Sequence, residues 1–352
     1  MRLKVLYPVL MLLAFAFPAW AQEAYTLDVT TDRADALYHV NERVTFSVSL
    51  MRGYEWVTSG DVSYVLTNDG EAVIGQGMLE FSDEPARVTA LLDAPGFLRC
   101  TFTFMEPGGE AVTALAGAGI APLDIKPSLP VPDDFDAFWD GKKAELAKIP
   151  MNAHLTPIGS SKEEVECFDL KLDCLGGAPV SGYFARPKGV AAKSAPALLL
   201  VHGAGVGSSS KPIDYAAKGL LALDINAHGI LNGQPKAYYD ELANGRLKEY
   251  RIQGRESRET YYFLGMYLRL IRAMDFLTAQ PEWDGKELIV CGSSQGGGQS
   301  IVAAGLDARV TAFAANVPAM CEHTGRVNGW PRLVPRDTEG AQDPQVSEAA
   351  RY

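Results

Sequence analysis

At 352 residues, with 47% apolar and 21% charged residues, the chain has the composition of a folded protein with a sizeable core, which excludes a disordered or a membrane-embedded class. Its length exceeds the roughly 100 to 200 residues of one ordinary domain, so two domains are expected. The net charge of −11 excludes nucleic acid and anionic lipid as partners, because both repel an acidic surface.

In chain order, the first expectation is a leader. Arg2 and Lys4 precede an unbroken apolar run from Val5 to Phe17, which meets Pro18 and the small-x-small triplet Ala19-Trp20-Ala21. That is the form of a signal peptide over residues 1–21. The alternative is a membrane anchor, but the run is about thirteen residues and a spanning helix needs about 20. Cleavage leaves Gln22 first and takes the charge to about −13. The mature protein is then expected to be secreted or periplasmic, with no membrane segment.

Residues 22–122 read as short β-strands separated by turn signals, with no convincing helix. Strands are expected over Tyr25–Thr30, Arg43–Leu50, Val62–Thr67, Arg87–Leu92 and Phe97–Met105, and Asn68-Asp69-Gly70 supplies a hairpin turn. The spacing suggests a small all-β immunoglobulin-like sandwich. A carbohydrate-binding module is one reading, but Tyr54 and Trp56 are too few to define a sugar platform, which favours a packing or spacer domain.

Pro122, Pro127, Pro130 and Pro132 mark a stiff linker over residues 123–132. A second domain, 133–352, opens with an amphipathic helix carrying Asp133-Asp134 at its start, where the helix dipole favours acids. Two antiparallel strands, Val165–Cys174 and Ser181–Arg186, surround Gly176-Gly177. Strands at Ala197–Val201, Gly219–Ile225, Glu287–Cys291 and Val310–Val317 then alternate with helical stretches such as Tyr261–Ala279. Such alternation predicts an α/β domain with a mostly parallel sheet covered on both faces. The five cysteines, Cys100, Cys167, Cys174, Cys291 and Cys321, have neither C-x-x-C spacing nor a nearby histidine pair, so no metal site and no pairing is assigned.

The chemistry concentrates in Leu288-Ile289-Val290-Cys291-Gly292-Ser293-Ser294-Gln295-Gly296-Gly297-Gly298, followed by a small-residue helix. Apolar strand, G-x-S-x-G turn and helix form the context of a nucleophile elbow. The elbow glycines Gly292 and Gly296 let strand and helix approach while Ser294 projects outward; Ser293 lacks that flanking pair. An earlier strand ends in Val201-His202-Gly203-Ala204-Gly205, the usual second half of an oxyanion hole. The backbone N–H groups of Ala204 and Gln295 are therefore the expected oxyanion donors. His202 precedes the nucleophile and sits on this loop, so loop orientation is favoured for it over the role of base.

These residues resemble the acetyl xylan esterase and cephalosporin C deacetylase family. The resemblance includes Leu129–Trp139, Tyr267–Asp275, Pro281-Glu282-Trp283-Asp284, the elbow, and Leu306-Asp307-Ala308-Arg309-Val310, in the family's order, over about residues 128 to 335. It implies an α/β-hydrolase fold with acetyl esters of carbohydrate or small alcohols as substrates, and no cofactor.

Two departures matter. The family's Arg-Gly-Gln-Gly after the strand ending at Asp224 is here Asn226-Ala227-His228-Gly229, without the arginine anchor. This bears on substrate preference and oligomer contacts and leaves a homo-oligomer open. His228 reads as a satisfied loop histidine rather than a catalytic one. The second departure concerns the order Ser, acid, His. Only residues 295–352 follow Ser294, and each further strand and helix pair costs roughly 30 residues. His323 follows the wrong strand. The expectation is a C-terminally incomplete α/β-hydrolase lacking the triad Asp and His, and so inactive alone. The expected function is a Ser294 acyl-enzyme esterase. A peptidase of the same fold, or a non-catalytic carbohydrate-binding or structural protein, are the alternatives.

Overall fold

The computed structural model describes residues 24–70, 72–127, 130–321 and 352. The expected leader and His323 lie outside the described residues. Contacts divide the chain into two compact units that meet between Lys126 and Pro127.

The first unit is built of β1 (Tyr25–Thr31), β2 (Leu37–Tyr38), β3 (Val44–Arg52), β4 (Glu55–Val57), β5 (Asp61–Asn68), β6 (Ala72–Glu80), β7 (Ala86–Ala90), β8 (Gly96–Met105) and β9 (Ala111–Ile120). One sheet runs β1-β3-β4 with β7 also on β3; the other runs β2-β9-β8-β5-β6. Side chains alternate across a strand, so Val44, Phe46, Val48 and Leu50 of β3 and Leu98, Cys100, Phe102 and Phe104 of β8 point into one shared apolar core. The hairpin turn expected at Asn68-Asp69-Gly70 joins β5 to β6, with Asp69 at φ 52° and Gly70 at φ 75°, the left-handed geometry such residues tolerate. Strands β2, β4, β6 and β9 were not anticipated. β6 and β9 are rich in glycine and alanine, which have little intrinsic preference for strands. In β6 the deficit is met from across the sheet. Gly77 pairs with Tyr64, and a Cβ on Gly77 would lie 2.9 Å from the tyrosine ring.

The second unit is α/β. It comprises α1 (Phe135–Ala147), β10 (His154–Ile158), β11 (Val165–Leu172), β12 (Val180–Pro187), β13 (Ala195–Val201), α2 (Ile213–Ala216), β14 (Leu221–Ile225), α3 (Lys236–Asn244), α4 (Tyr262–Thr278), β15 (Trp283–Ser293), α5 (Gln295–Leu306) and β16 (Ala312–Asn316). Its sheet runs β10-β11-β12-β14-β13-β15-β16. The β10 to β14 pairings are antiparallel, whereas β14, β13, β15 and β16 run parallel. From β13 the chain crosses to β14 on one side and later returns to β15 on the other. That reversal opens a crevice at the carboxyl ends of the strands, where open α/β sheets bind ligands.

Both sheet faces are covered. On one, Leu199 and Val201 of β13 and Leu288 and Val290 of β15 pack with α1, α4 and α5. On the other, Val165, Cys167 and Ala185 pack on Ile213 and Ala216 of α2. Among the described residues no helix is long and apolar enough to cross a membrane.

Phe184 of β12 is fully buried and meets Phe276 of α4 edge-on, with ring centroids 5.1 Å apart. Phe184→Ala should lower unfolding stability by about 3 to 5 kcal/mol, the range for deleting a buried aromatic. Urea denaturation measures it. A loss below about 1 kcal/mol would mean that this sheet-to-helix contact is not part of a close-packed core.

Candidate active site

Ser294 is the single residue between β15 and α5, with φ 57° and ψ −119°. A residue with a side chain adopts such a backbone only when its surroundings enforce it. The enforcement is steric. A Cβ on Gly296 would lie 2.3 Å from the carbonyl oxygen of Val201, and one on Gly292 would lie 2.4 Å from that of Gly296. No larger residue fits either position, so α5 starts pressed against the end of β13. The end of β16 holds the turn from the other side. Ser294 N–H donates to Asn316 O at 2.9 Å, and Ala319 N–H donates to Ser294 O at 2.9 Å.

Beside the elbow runs the loop after β13. A Cβ on Gly203 would meet Ser294 Cβ at 3.7 Å, which puts this loop in contact with the candidate nucleophile. Among the described residues, neither the main-chain N–H of Ala204 nor that of Gln295 donates a hydrogen bond. Gln295 opens α5, where the helix dipole adds to the attraction for negative charge. A cleft of about 280 Å³ opens along residues 202–208 and 226–228.

His202 turns its Nε2 to the buried Asp224 of β14. That hydrogen bond to the carboxylate raises the imidazole above its usual range. The His202 carbonyl accepts from Gln299 Nε2 of α5 at 3.3 Å. His202 thus joins the ends of β13 and β14 to the elbow helix.

In the turn Asn226-Ala227-His228-Gly229 the first three residues are buried, and the turn reaches back to the same loop. Asn226 Nδ2 donates to Gly207 O. His228 Nε2 lies 2.9 Å from Gly205 O, and its Nδ1 lies 2.7 Å from the Tyr262 hydroxyl. A buried arginine reaches this turn from another element. Arg269 of α4, itself buried, donates to Ala227 O from Nε at 3.1 Å and from Nη2 at 2.7 Å. On the far side, Tyr250 donates its hydroxyl to the buried Gln295 side chain, and its ring meets that of His228 edge-on at 4.6 Å between centroids.

Sequence reasoning missed Tyr250, Tyr262, Arg269 and the Asp224 contact. An arginine amid the apolar helical run of α4 was the available signal, since a buried cation must find acceptors. Among the described residues, neither His202 nor His228 hydrogen-bonds Ser294 Oγ.

Burial pushes the His228 imidazole from 6.5 down to about 4. The unfolded chain therefore takes up a proton near pH 6.5 that the folded chain refuses until about pH 4. The associated stability is fully present above pH 6.5 and is lost as pH falls through this window, by at most about 3 kcal/mol. Chemical denaturation of the protein and of His228→Gln across this range should show the steeper decline in the unmutated protein; parallel curves would contradict a buried neutral imidazole.

Comparison with known proteins bears on the same elements. Residues 123–328 match the acetyl xylan esterase (AXE1) family. Over 313 residues, spanning 86% of this chain and 70% of the relative, the chain is 30% identical to acetyl esterase Axe7A of Xylanibacter ruminicola. That coverage exceeds what residues 127–352 provide, so the likeness runs into the all-β unit. Among solved structures, the acetyl xylan esterase from Paenibacillus sp. R4 is similar with 29% identity and a TM-score of 0.55, over 65% of this chain and 76% of that one. Acetyl xylan esterase 1 from Thermoanaerobacterium sp. JW/SL YS485 is similar with 21% identity and a TM-score of 0.49, over 63% and 73%. The α/β sheet with its strand-turn-helix serine is the arrangement of an α/β-hydrolase esterase. With more than half of its length matched by the family and a relative at 30% identity, the chain belongs to the acetyl xylan esterase family.

Proposed function

We propose that this carboxylic ester hydrolase removes acetyl groups from carbohydrate or small alcohols after export, with Ser294 as nucleophile. The observation that carries the reading is the strained backbone of Ser294, at φ 57°, held against a loop whose Ala204 N–H makes no other hydrogen bond among the described residues. Ser294 Oγ attacks the ester carbonyl carbon, and the carbonyl oxygen becomes an oxyanion that accepts from Ala204 N–H and Gln295 N–H. The alcohol leaves with a proton, and water then releases acetate from the acyl-serine. This chemistry requires no cofactor.

A base must take the serine proton. His202 is turned to Asp224, and His228 spends both ring nitrogens on Gly205 and Tyr262. We therefore read the base and its acid as supplied from outside residues 24–321, in keeping with the order Ser, acid, His. We read the all-β unit as an immunoglobulin-like sandwich that serves as a spacer rather than as the seat of the chemistry. Residues 1–21 are read as the export leader, on the basic start and the short apolar run.

The test is hydrolysis of p-nitrophenyl acetate, acetylated xylan and a dipeptide ester-free substrate by the full-length protein and its Ser294→Ala variant. Acetyl-ester turnover is expected to fall about ten-thousandfold or more in the variant. Turnover that survives the substitution would remove Ser294 from the mechanism, and preferential dipeptide cleavage would replace the esterase by a peptidase.

A further inference from the structure

We propose that His228 is a positioning residue for the oxyanion hole, holding through Gly205 the loop that presents the Ala204 N–H. The proposal rests on the reading of Ser294 as nucleophile and of Ala204 and Gln295 as oxyanion donors.

The loop cannot hold itself. Among the described residues, no main-chain N–H of 203–207 donates to another main-chain group. Gly205, at φ 133°, occupies backbone space that only glycine enters readily. The loop's tethers come instead from the turn after β14, as Asn226 on the Gly207 carbonyl and His228 on the Gly205 carbonyl, and from Tyr250, which also hydrogen-bonds the Gly205 main chain.

The chemistry of the two His228 contacts defines the tether. A carbonyl oxygen only accepts, so Nε2 carries the hydrogen and donates to Gly205 O. Nδ1 then has a free lone pair, and the Tyr262 hydroxyl donates to it. A neutral ring with one defined tautomer satisfies both neighbours. The ring is 2% exposed, so neither contact competes with water, and a donor lost here leaves a buried carbonyl unpaired.

The same cluster reaches the second oxyanion donor. Tyr250 packs edge-on against His228 and donates to the Gln295 side chain, whose main-chain N–H starts α5. The two donors stand on different parts of the chain, and the His228, Tyr250 and Tyr262 cluster touches Gly205, next to the first, and the side chain of Gln295, which carries the second. A donor contributes to catalysis only where it meets the developing oxyanion at hydrogen-bond distance, and removal of one such donor costs about a hundredfold to a thousandfold in turnover.

The experiment uses the full-length protein with His228→Ala, His228→Gln and Tyr262→Phe. It measures kcat and KM for p-nitrophenyl acetate per titrated active site, inhibition by a small alkyl boronic acid that forms a tetrahedral adduct on serine, and the position of residues 203–208 in crystal structures of the variants. His228→Ala should lower kcat roughly ten- to a hundredfold with KM changed by less than about threefold, and should weaken the boronate in parallel. Its loop 203–208 should move from its place beside the elbow while β13 and β14 stay in position. His228→Gln, whose amide can still donate to Gly205 O, should recover most of the lost kcat. A folded His228→Ala with unaltered kcat and boronate inhibition overturns the proposal, as does a glutamine variant no better than alanine or an unmoved loop over 203–208. If turnover by the unmutated protein is not Ser294-dependent, the nucleophile reading fails and the catalytic role of His228 falls with it, wherever the loop lies in the variants.

Discussion

The close approach of α5 to the end of β13 governs the rest of the α/β unit. With Gly296 almost touching the Val201 carbonyl, the chain has room for one residue between strand and helix, and that residue is forced into a strained conformation. The strain is what turns Ser294 outward, away from a core that would otherwise bury it. It also fixes which main-chain N–H lies next to the serine oxygen, because the helix must begin at Gln295. Glycines are required here by the distance between two backbones, not by any need for flexibility.

A second layer of organisation depends on that first one. Once α5 and β13 are in place, the loop after β13 lies beside the serine but lacks secondary structure of its own. It is fixed from below by polar side chains at the ends of β13 and β14, Asp224, Asn226 and His228 among them, and α4 in turn fixes that layer through Tyr262 and Arg269. The polar groups are buried but partnered, which is the condition under which a polar network rigidifies a site instead of destabilising it.

How far the site was legible in the sequence follows from this layering. The elbow could be read directly, because its requirement is local: glycines at fixed offsets between an apolar strand and a small-residue helix. The strands of strict alternation, such as β3, were visible for the same reason. The turn 226–229 was recognisable as a departure from the family pattern, yet its work was not, since its partners Gly205, Tyr262 and Arg269 stand far away in sequence. Arg269 reaches the turn from a different helix, which no local motif can reveal. β9, with its run of alanines and glycines, and β10, which contains Pro157, carry little strand signal of their own and exist through their neighbours.

Arg272 lies one turn beyond Arg269 on α4, and its Nη2 donates to the carbonyls of Leu146 and Ile149, at 2.6 and 2.9 Å, where α1 ends. Two buried guanidinium groups on one helix therefore grip main chain at two separate places, the last turn of α1 and the turn behind the serine. Each grips a bare carbonyl rather than a carboxylate, so the attachment is directional and follows the backbone it holds. About one turn of helix separates the two, so a single short stretch of α4 is bonded to the main chain of both places.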